Sequence, residues 1–227
     1  MTSDSRPDRR DNDLLSVERL VGLSDNVVAF ALTLLVLQLT VPALSAGAHA
    51  ASASDLAAQL AKQGGHLVSY VIAFCTIAQF WLTHRRVFRH VTGHRDTLAW
   101  WNFAFLATIT VMPFTSSLLG EYPSNPLAVD IFAVNLLLAV LATQVMLEVG
   151  RRAGLLAAER GAREARTLRV RAAGTVLVAA VSVGLAWVST TGAKYSWLLI
   201  PVLLWAAERR AAPGPSAGRR RASWWRR

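Results

Sequence analysis

Between Arg19 and Pro42 the chain reads RLVGLSDNVVAFALTLLVLQLTVP. This stretch is long and apolar enough to cross a bilayer, where about 20 such residues match the hydrocarbon thickness. Lipid offers no partner to an open backbone group, so a spanning segment of this kind must be helical. Yet Ser24, Asp25 and Asn26 sit near its start. A carboxylate at that depth is costly and turns toward protein or water rather than lipid. The segment is therefore expected to be an internal helix around which the rest is arranged.

Further apolar runs follow, separated by polar or basic links. The reading is an all-α integral membrane protein with six transmembrane helices, over about Val21–Pro42, His66–Thr83, Thr97–Leu119, Leu127–Val149, Ala172–Ser189 and Tyr195–Ala207. The chain divides into a cytoplasmic leader (1–18, unstructured to about Leu14), a six-helix unit (19–207) and a basic, disordered cytoplasmic tail (208–227). In the loop after the first helix, a short helix is expected from Ser54 to Lys62, with Ser54 as its N-cap. Thr190–Lys194 reads as a tight turn. Pro113 is placed to kink the third helix.

Hydrophobic residues make up 53% of the 227, too many and too segmented for a soluble domain. The net charge of +10 could suggest nucleic acid. Its placement says otherwise: Lys62 and Lys194 are the only lysines, and every arginine falls in a segment that one alternating topology puts on the cytoplasmic side. The positive-inside rule accounts for that pattern, with both termini inside. Asp55, Glu121 and Asp130 then lie on the outer side. No folded basic face suited to nucleic acid is present. The arginine-rich cytoplasmic segments and Trp224-Trp225 suit contact with anionic lipid.

No catalytic constellation stands out: there is no Gly-x-Ser-x-Gly, His-Glu-x-x-His or phosphate loop, and an enzyme is not expected. The single cysteine, Cys75, allows neither an internal disulfide nor a cysteine-based metal site. His90 and His94 are four apart, but a metal needs more ligands than two; a solvated turn is the better reading.

On a helical wheel of about 100° per residue, Asn26, Phe30, Thr33, Leu34, Leu37 and Val41 fall along one line. Asp25 points well away from it. Such a stripe either lines an ion pathway or is ordinary helix–helix packing, and periodicity alone favours packing.

The residues of this segment also carry a resemblance. Arg19, then three residues, then Leu23-Ser24-Asp25, with Thr33-Leu34-Leu35 following, resembles the Arg-x-x-x-Phe-Ser-Asp signature of the transmembrane protein 175 family of potassium channels. Phe80-Trp81 with His84, Asn102, Pro113-Phe114-Thr115 and Leu119-Gly120-Glu121-Tyr122 follow in the same order. The resemblance implies a homotetramer whose pore is lined by the first helix, with no cofactor and potassium as the permeant ion. Phe30, Thr33, Leu34 and Leu37 are the expected constriction. Phe30, Leu34 and Leu37 span about 10 Å along a helix, and a narrow apolar passage makes an ion shed part of its hydration. Thr33 adds a hydroxyl that stands in for lost water. Arg19, Ser24, Asp25, His84 and Asn102 are the expected network bracing that helix against its neighbours. Where the family usually carries isoleucine or leucine, Phe30 is bulkier, and is expected either to close the path or to move the tightest point. A secondary transporter with an intramembrane polar site is the rival reading, though such folds favour inverted repeats and broken helices, which the sequence does not display.

Overall fold

The computed structural model describes residues 6–41, 52–89, 91, 93, 95–155 and 158–197, with the side chains of 6–14 and 158–166 set aside. Their elements run α1 (Arg6–Leu34), a 3-10 turn (Leu35–Gln38), α2 (Ala53–Lys62), α3 (Gly64–Phe88), α4 (Asp96–Glu121), α5 (Pro126–Arg152), α6 (Ala158–Ala186) and α7 (Thr190–Trp197). Among the described residues, five helices are long and apolar enough to cross a membrane: Leu15–Gln38, Gly64–Phe88, Asp96–Glu121, Pro126–Arg152 and Thr167–Ala186. Most of the expected sixth helix, the tail with Trp224-Trp225, and His90 and His94 lie outside the described residues.

Helix α1 starts at Arg6, not Val21, so the leader after residue 5 is helical rather than unstructured. Two causes are visible. Pro7 falls in the first turn, where a missing N–H costs nothing. Val17 and Leu20 then bury a further turn of the same helix against the bundle. At its other end the helix tightens into the 3-10 turn, and Pro42 disfavours helical geometry in the residue before it.

Helix α2 is capped by Ser52, not Ser54. Asp55 N–H donates to Ser52 Oγ (3.2 Å), and Asp55 Oδ2 accepts from the Ser52 N–H (3.2 Å) and hydroxyl (2.7 Å). This reciprocal box needs an acid three residues after the cap, and only Ser52 has one. Residues 190–194 are likewise not a turn but the start of α7, whose Trp197 is buried and stacks on Phe132 of α5 at 4.6 Å.

The bundle is sequential: α3 packs on α4, α4 on α5, α5 on α6 and α6 on α7, while α1 lies across α4 and α3. Its centre is built from Phe105, Ile109 and Met112 of α4 and Phe132, Leu136 and Ala139 of α5, all fully buried. Asn135 Nδ2 donates to the Thr108 carbonyl (3.1 Å), tying α5 to α4 inside that core. Helix α4 remains helical through Pro113. Gly65 and Gly120 let α3 and α4 approach closely: a Cβ on Gly120 would stand 3.0 Å from the His66 Cα.

Candidate functional site

Helix α1 has two opposed stripes. Val17, Leu20, Ser24, Val28, Ala31 and Leu35 recur at three- and four-residue spacing and are all buried. That is the apolar periodicity of a helix laid against a core, with one hydroxyl inserted. Leu23, Asn26, Phe30, Thr33, Leu34 and Leu37 recur on the other side and are exposed in the single chain. Phe30 and Leu37 keep 68% and 70% of their surface and Leu34 39%, so the described residues leave this line largely uncovered.

The 3-10 turn changes the geometry expected of that line. In an α-helix, residues three apart are offset by about 60°, whereas in a 3-10 helix they eclipse. Leu34 and Leu37 therefore stand one above the other. With rises of about 1.5 Å per α residue and about 2.0 Å per 3-10 residue, Phe30 to Leu37 covers about 12 Å. The Thr33 hydroxyl donates to the Phe30 carbonyl (2.7 Å), which leaves its oxygen lone pairs turned outward as acceptors.

On the buried side, the Ser24 hydroxyl donates to its own Leu20 carbonyl (2.8 Å), and Asn102 Nδ2 donates to Ser24 Oγ (2.9 Å). Asn102 Oδ1 then lies 2.7 Å from His84 Nε2. A carboxamide oxygen only accepts, so His84 carries a proton on Nε2. The His84 ring stacks on Phe105 (5.1 Å) and packs against the tilted ring of Phe88 (4.5 Å). Ser24, His84 and Asn102 are all buried, so three helices are pinned through one satisfied polar chain.

Asp25 takes a separate partner. Its Oδ1 accepts from Trp81 Nε1 (2.7 Å), and the Arg85 guanidinium stands over the Trp81 ring at 4.9 Å. The carboxylate is thus held through an indole backed by a cation, not by His84 or Asn102. Arg19 is exposed and makes no hydrogen bond or ion pair among the described residues.

At the other end of the span a second polar knot holds the 3-10 turn, and sequence reasoning did not find it. Ser116 Oγ of α4 lies 3.1 Å from both Gln38 Oε1 and the Ser69 carbonyl, and Ser69 Oγ of α3 lies 3.4 Å from Gln38 Oε1. Gln63 Nε2 donates to the Thr40 carbonyl just beyond. The available signal was Gln38 itself, a lone carboxamide ending an apolar run.

Helices of this length and apolarity, joined by polar ties rather than polar surfaces, define a multi-pass integral membrane protein. Residues 19–113 match the family described as the endosomal/lysosomal potassium channel TMEM175. A potassium channel of Streptomyces collinus is 30% identical over 176 residues, 75% of this chain and 82% of that protein. The chain belongs to the TMEM175 family. A potassium channel of Chamaesiphon minutus is 31% identical over 110 residues, 48% of this chain, so the match spans about half (52%) of that relative's length. The human endosomal/lysosomal proton channel TMEM175 is 31% identical over 137 residues, 58% of this chain and 26% of its own. The fold matches the crystal structure of a lysosomal potassium-selective channel TMEM175 homolog from Chamaesiphon minutus with a TM-score of 0.70 at 22% identity, covering 87% of this chain and 99% of that one. These relatives carry the names of ion channels, not of enzymes.

Proposed function

We propose that four copies of this chain form a potassium-permeable cation channel, with α1 and its 3-10 turn at the shared axis. The observation that carries it is the uncovered line of Phe30, Thr33, Leu34 and Leu37, on a helix whose opposite face is fixed by buried polar ties. One such helix cannot enclose a water path, and closed cyclic symmetry is the usual way for copies to do so. Both termini lie in the cytoplasm, on the side of the arginine-bearing helix ends, as the positive-inside rule requires.

Phe30, Leu34 and Leu37 act as stacked apolar rings. An ion crossing them loses part of its water, and potassium holds its shell less tightly than sodium, so the penalty favours potassium. Outward lone pairs on Thr33 replace some of the lost ligands. Ser24, Asn102, His84 and the Asp25–Trp81 pair keep the helix at fixed depth and rotation, with Arg19 as a cationic group at its cytoplasmic end. Potassium rather than protons is favoured as the main permeant ion because the Streptomyces collinus relative, matched over 82% of its own length, is named a potassium channel, whereas the human proton channel is matched over 26% of its own.

The test is ion flux from liposomes holding the purified protein, with particle images for subunit number. Potassium efflux exceeding sodium efflux, uncoupled from any counter-ion and raised by Phe30→Ala, is the expected result. A lipid-facing α1 in the images, or flux strictly coupled to a second ion, overturns the reading.

A further inference from the structure

A groove between α3, α5 and α6 lies away from the exposed line of α1. It encloses about 510 Å³ including its open mouth. Phe80, Leu136, Val140, Leu168 and Ala172 give it apolar walls, and Gln79, Thr83, Thr143, Gln144, Arg171 and Thr175 line it with polar groups. Arg171 is only 6% exposed, although it lies four residues inside the span Thr167–Ala186. An arginine buried within a membrane segment is expensive and marks a function by default.

The donors and acceptors of the groove select what can enter. The hydroxyl protons of Thr83, Thr143 and Thr175 are spent on their own helices, at the carbonyls of Gln79 (2.9 Å), Ala139 (2.8 Å) and Arg171 (3.1 Å). Gln79 Nε2 is buried and has no hydrogen-bond partner. The Arg171 guanidinium carries five N–H donors in a rigid fork. The threonine oxygens keep acceptor lone pairs for neutral donors, whereas the buried Arg171 cation and the Gln79 N–H together call for an acidic oxygen.

Depth narrows the choice further. The polar end of the groove is the arginine-bearing end of the bundle. There, one turn along α5 from Gln144, the Glu148 carboxylate meets Arg151 (2.5 Å), Arg152 (2.7 Å) and Arg169 (3.2 Å). One acid among three guanidinium groups leaves positive charge at the mouth, while the apolar walls run inward toward mid-membrane.

We propose that this groove binds an anionic lipid of the cytoplasmic leaflet. Its acidic head-group oxygen sits at Arg171 and Gln79 Nε2, and an acyl chain lies along Phe80, Leu136, Val140 and Ala172. The head group is a phosphodiester or a fatty-acid carboxylate, and the shared chemistry is an acidic oxygen on an acyl chain.

The experiment is native mass spectrometry of the full-length protein in detergent, incubated separately with phosphatidylglycerol, phosphatidylcholine of the same chains, and oleate. Wild-type protein should retain phosphatidylglycerol at least about fivefold better than phosphatidylcholine, about 1 kcal/mol. Arg171→Gln should abolish that preference. Ala172→Phe, which keeps the charge and fills the groove, should abolish retention of either lipid and stands in if the arginine variant does not fold. Arg95→Gln, at an exposed arginine capping the start of α4, outside both the groove and its mouth, should leave the preference unchanged. Selective retention of oleate alone, lost in Ala172→Phe, supports the groove and names a carboxylate as its occupant. Equal loss in Arg95→Gln and Arg171→Gln, or undiminished retention in Ala172→Phe, overturns the proposal and assigns the binding to diffuse surface charge. Each readout is independent of ion conduction.

Discussion

The two faces of α1 differ in what fixes them. On the buried face every position answers to a neighbour: Ser24 to Asn102, Val28, Ala31 and Leu35 to the core shared with α3 and α4, and Gln38 to Ser69 and Ser116. On the exposed face Phe30, Thr33, Leu34 and Leu37 stand largely uncovered by the other described helices. The same helix thus carries a stability problem on one side and an assembly and conduction problem on the other. A change on one face should move one observable and spare the other.

The largest loss of stability is expected from Asn102→Leu. It removes both hydrogen bonds of the carboxamide, orphans His84 Nε2 in the core and leaves Ser24 Oγ only its bond to the Leu20 carbonyl. At about 1–3 kcal/mol for each buried group left unsatisfied, the variant should melt well below wild type in a thermal scan in detergent, with little folded protein recovered. A melt within a degree or two of wild type would mean that the buried face does not depend on this chain.

Gly120→Ala should come next. A Cβ there meets His66 Nδ1 at 2.6 Å, Ser69 Oγ at 2.8 Å and the His66 Cα at 3.0 Å. Side-chain ends can move aside, but backbone cannot, so α3 and α4 must separate. Overpacking of this kind costs about 1–3 kcal/mol, more than the roughly 1 kcal/mol that alanine gains over glycine in helix propensity. The melting temperature should fall, and Ser69 with Ser116 should loosen around Gln38, seen as faster amide exchange in the 3-10 turn.

How much of this was legible beforehand follows the same division. Spans show in sequence because burial in lipid writes them as apolar runs, and the expected second to fifth helices each fall on an observed span. The exposed line of α1 was legible as a period. The partners were less so: Ser24, Asp25, His84 and Asn102 could be placed at one depth, but that Asp25 takes the Trp81 indole while Ser24 takes Asn102 depends on helix rotation, which hydropathy does not encode. The Gln38 knot and the Arg171 groove were missed for the same reason. The cap at Ser52 was missed for another. Its acid three residues on, Asp55, was present in the sequence, whereas Ser54 is followed at that spacing by Ala57.

Phe30→Ala sharpens the contrast from the other side. Because the ring touches little in its own subunit, truncation should change subunit stability by no more than about 0.5 kcal/mol, the usual range for a surface site. Potassium flux in liposomes should nevertheless rise several-fold as the widest ring shrinks. If Phe30→Ala melted as low as Asn102→Leu, the two faces would not be distinct.

The smallest effect is expected at Asp55, far from both faces. Its hydrogen bonds from the Ser52 hydroxyl and N–H hold the carboxyl below the usual carboxylate range. A carboxyl depressed in the folded state stabilises α2 at every pH above its ordinary value and gives that up as pH falls through the depressed one. Amide protection of residues 56–60, corrected for intrinsic exchange, should be flat from neutral pH down to the usual carboxylate range and decline only below it. Asp55→Asn keeps an oxygen that can accept from Ser52 but has no proton to gain, so its protection should be slightly lower at neutral pH and show no acid decline. Since α2 buries no side chain, the capping box is its main local support, and the acid response should stop at α2 without reaching the exchange of α1. A decline that spread into the 3-10 turn would show that the Gln63–Thr40 contact couples the cap to the exposed line of α1.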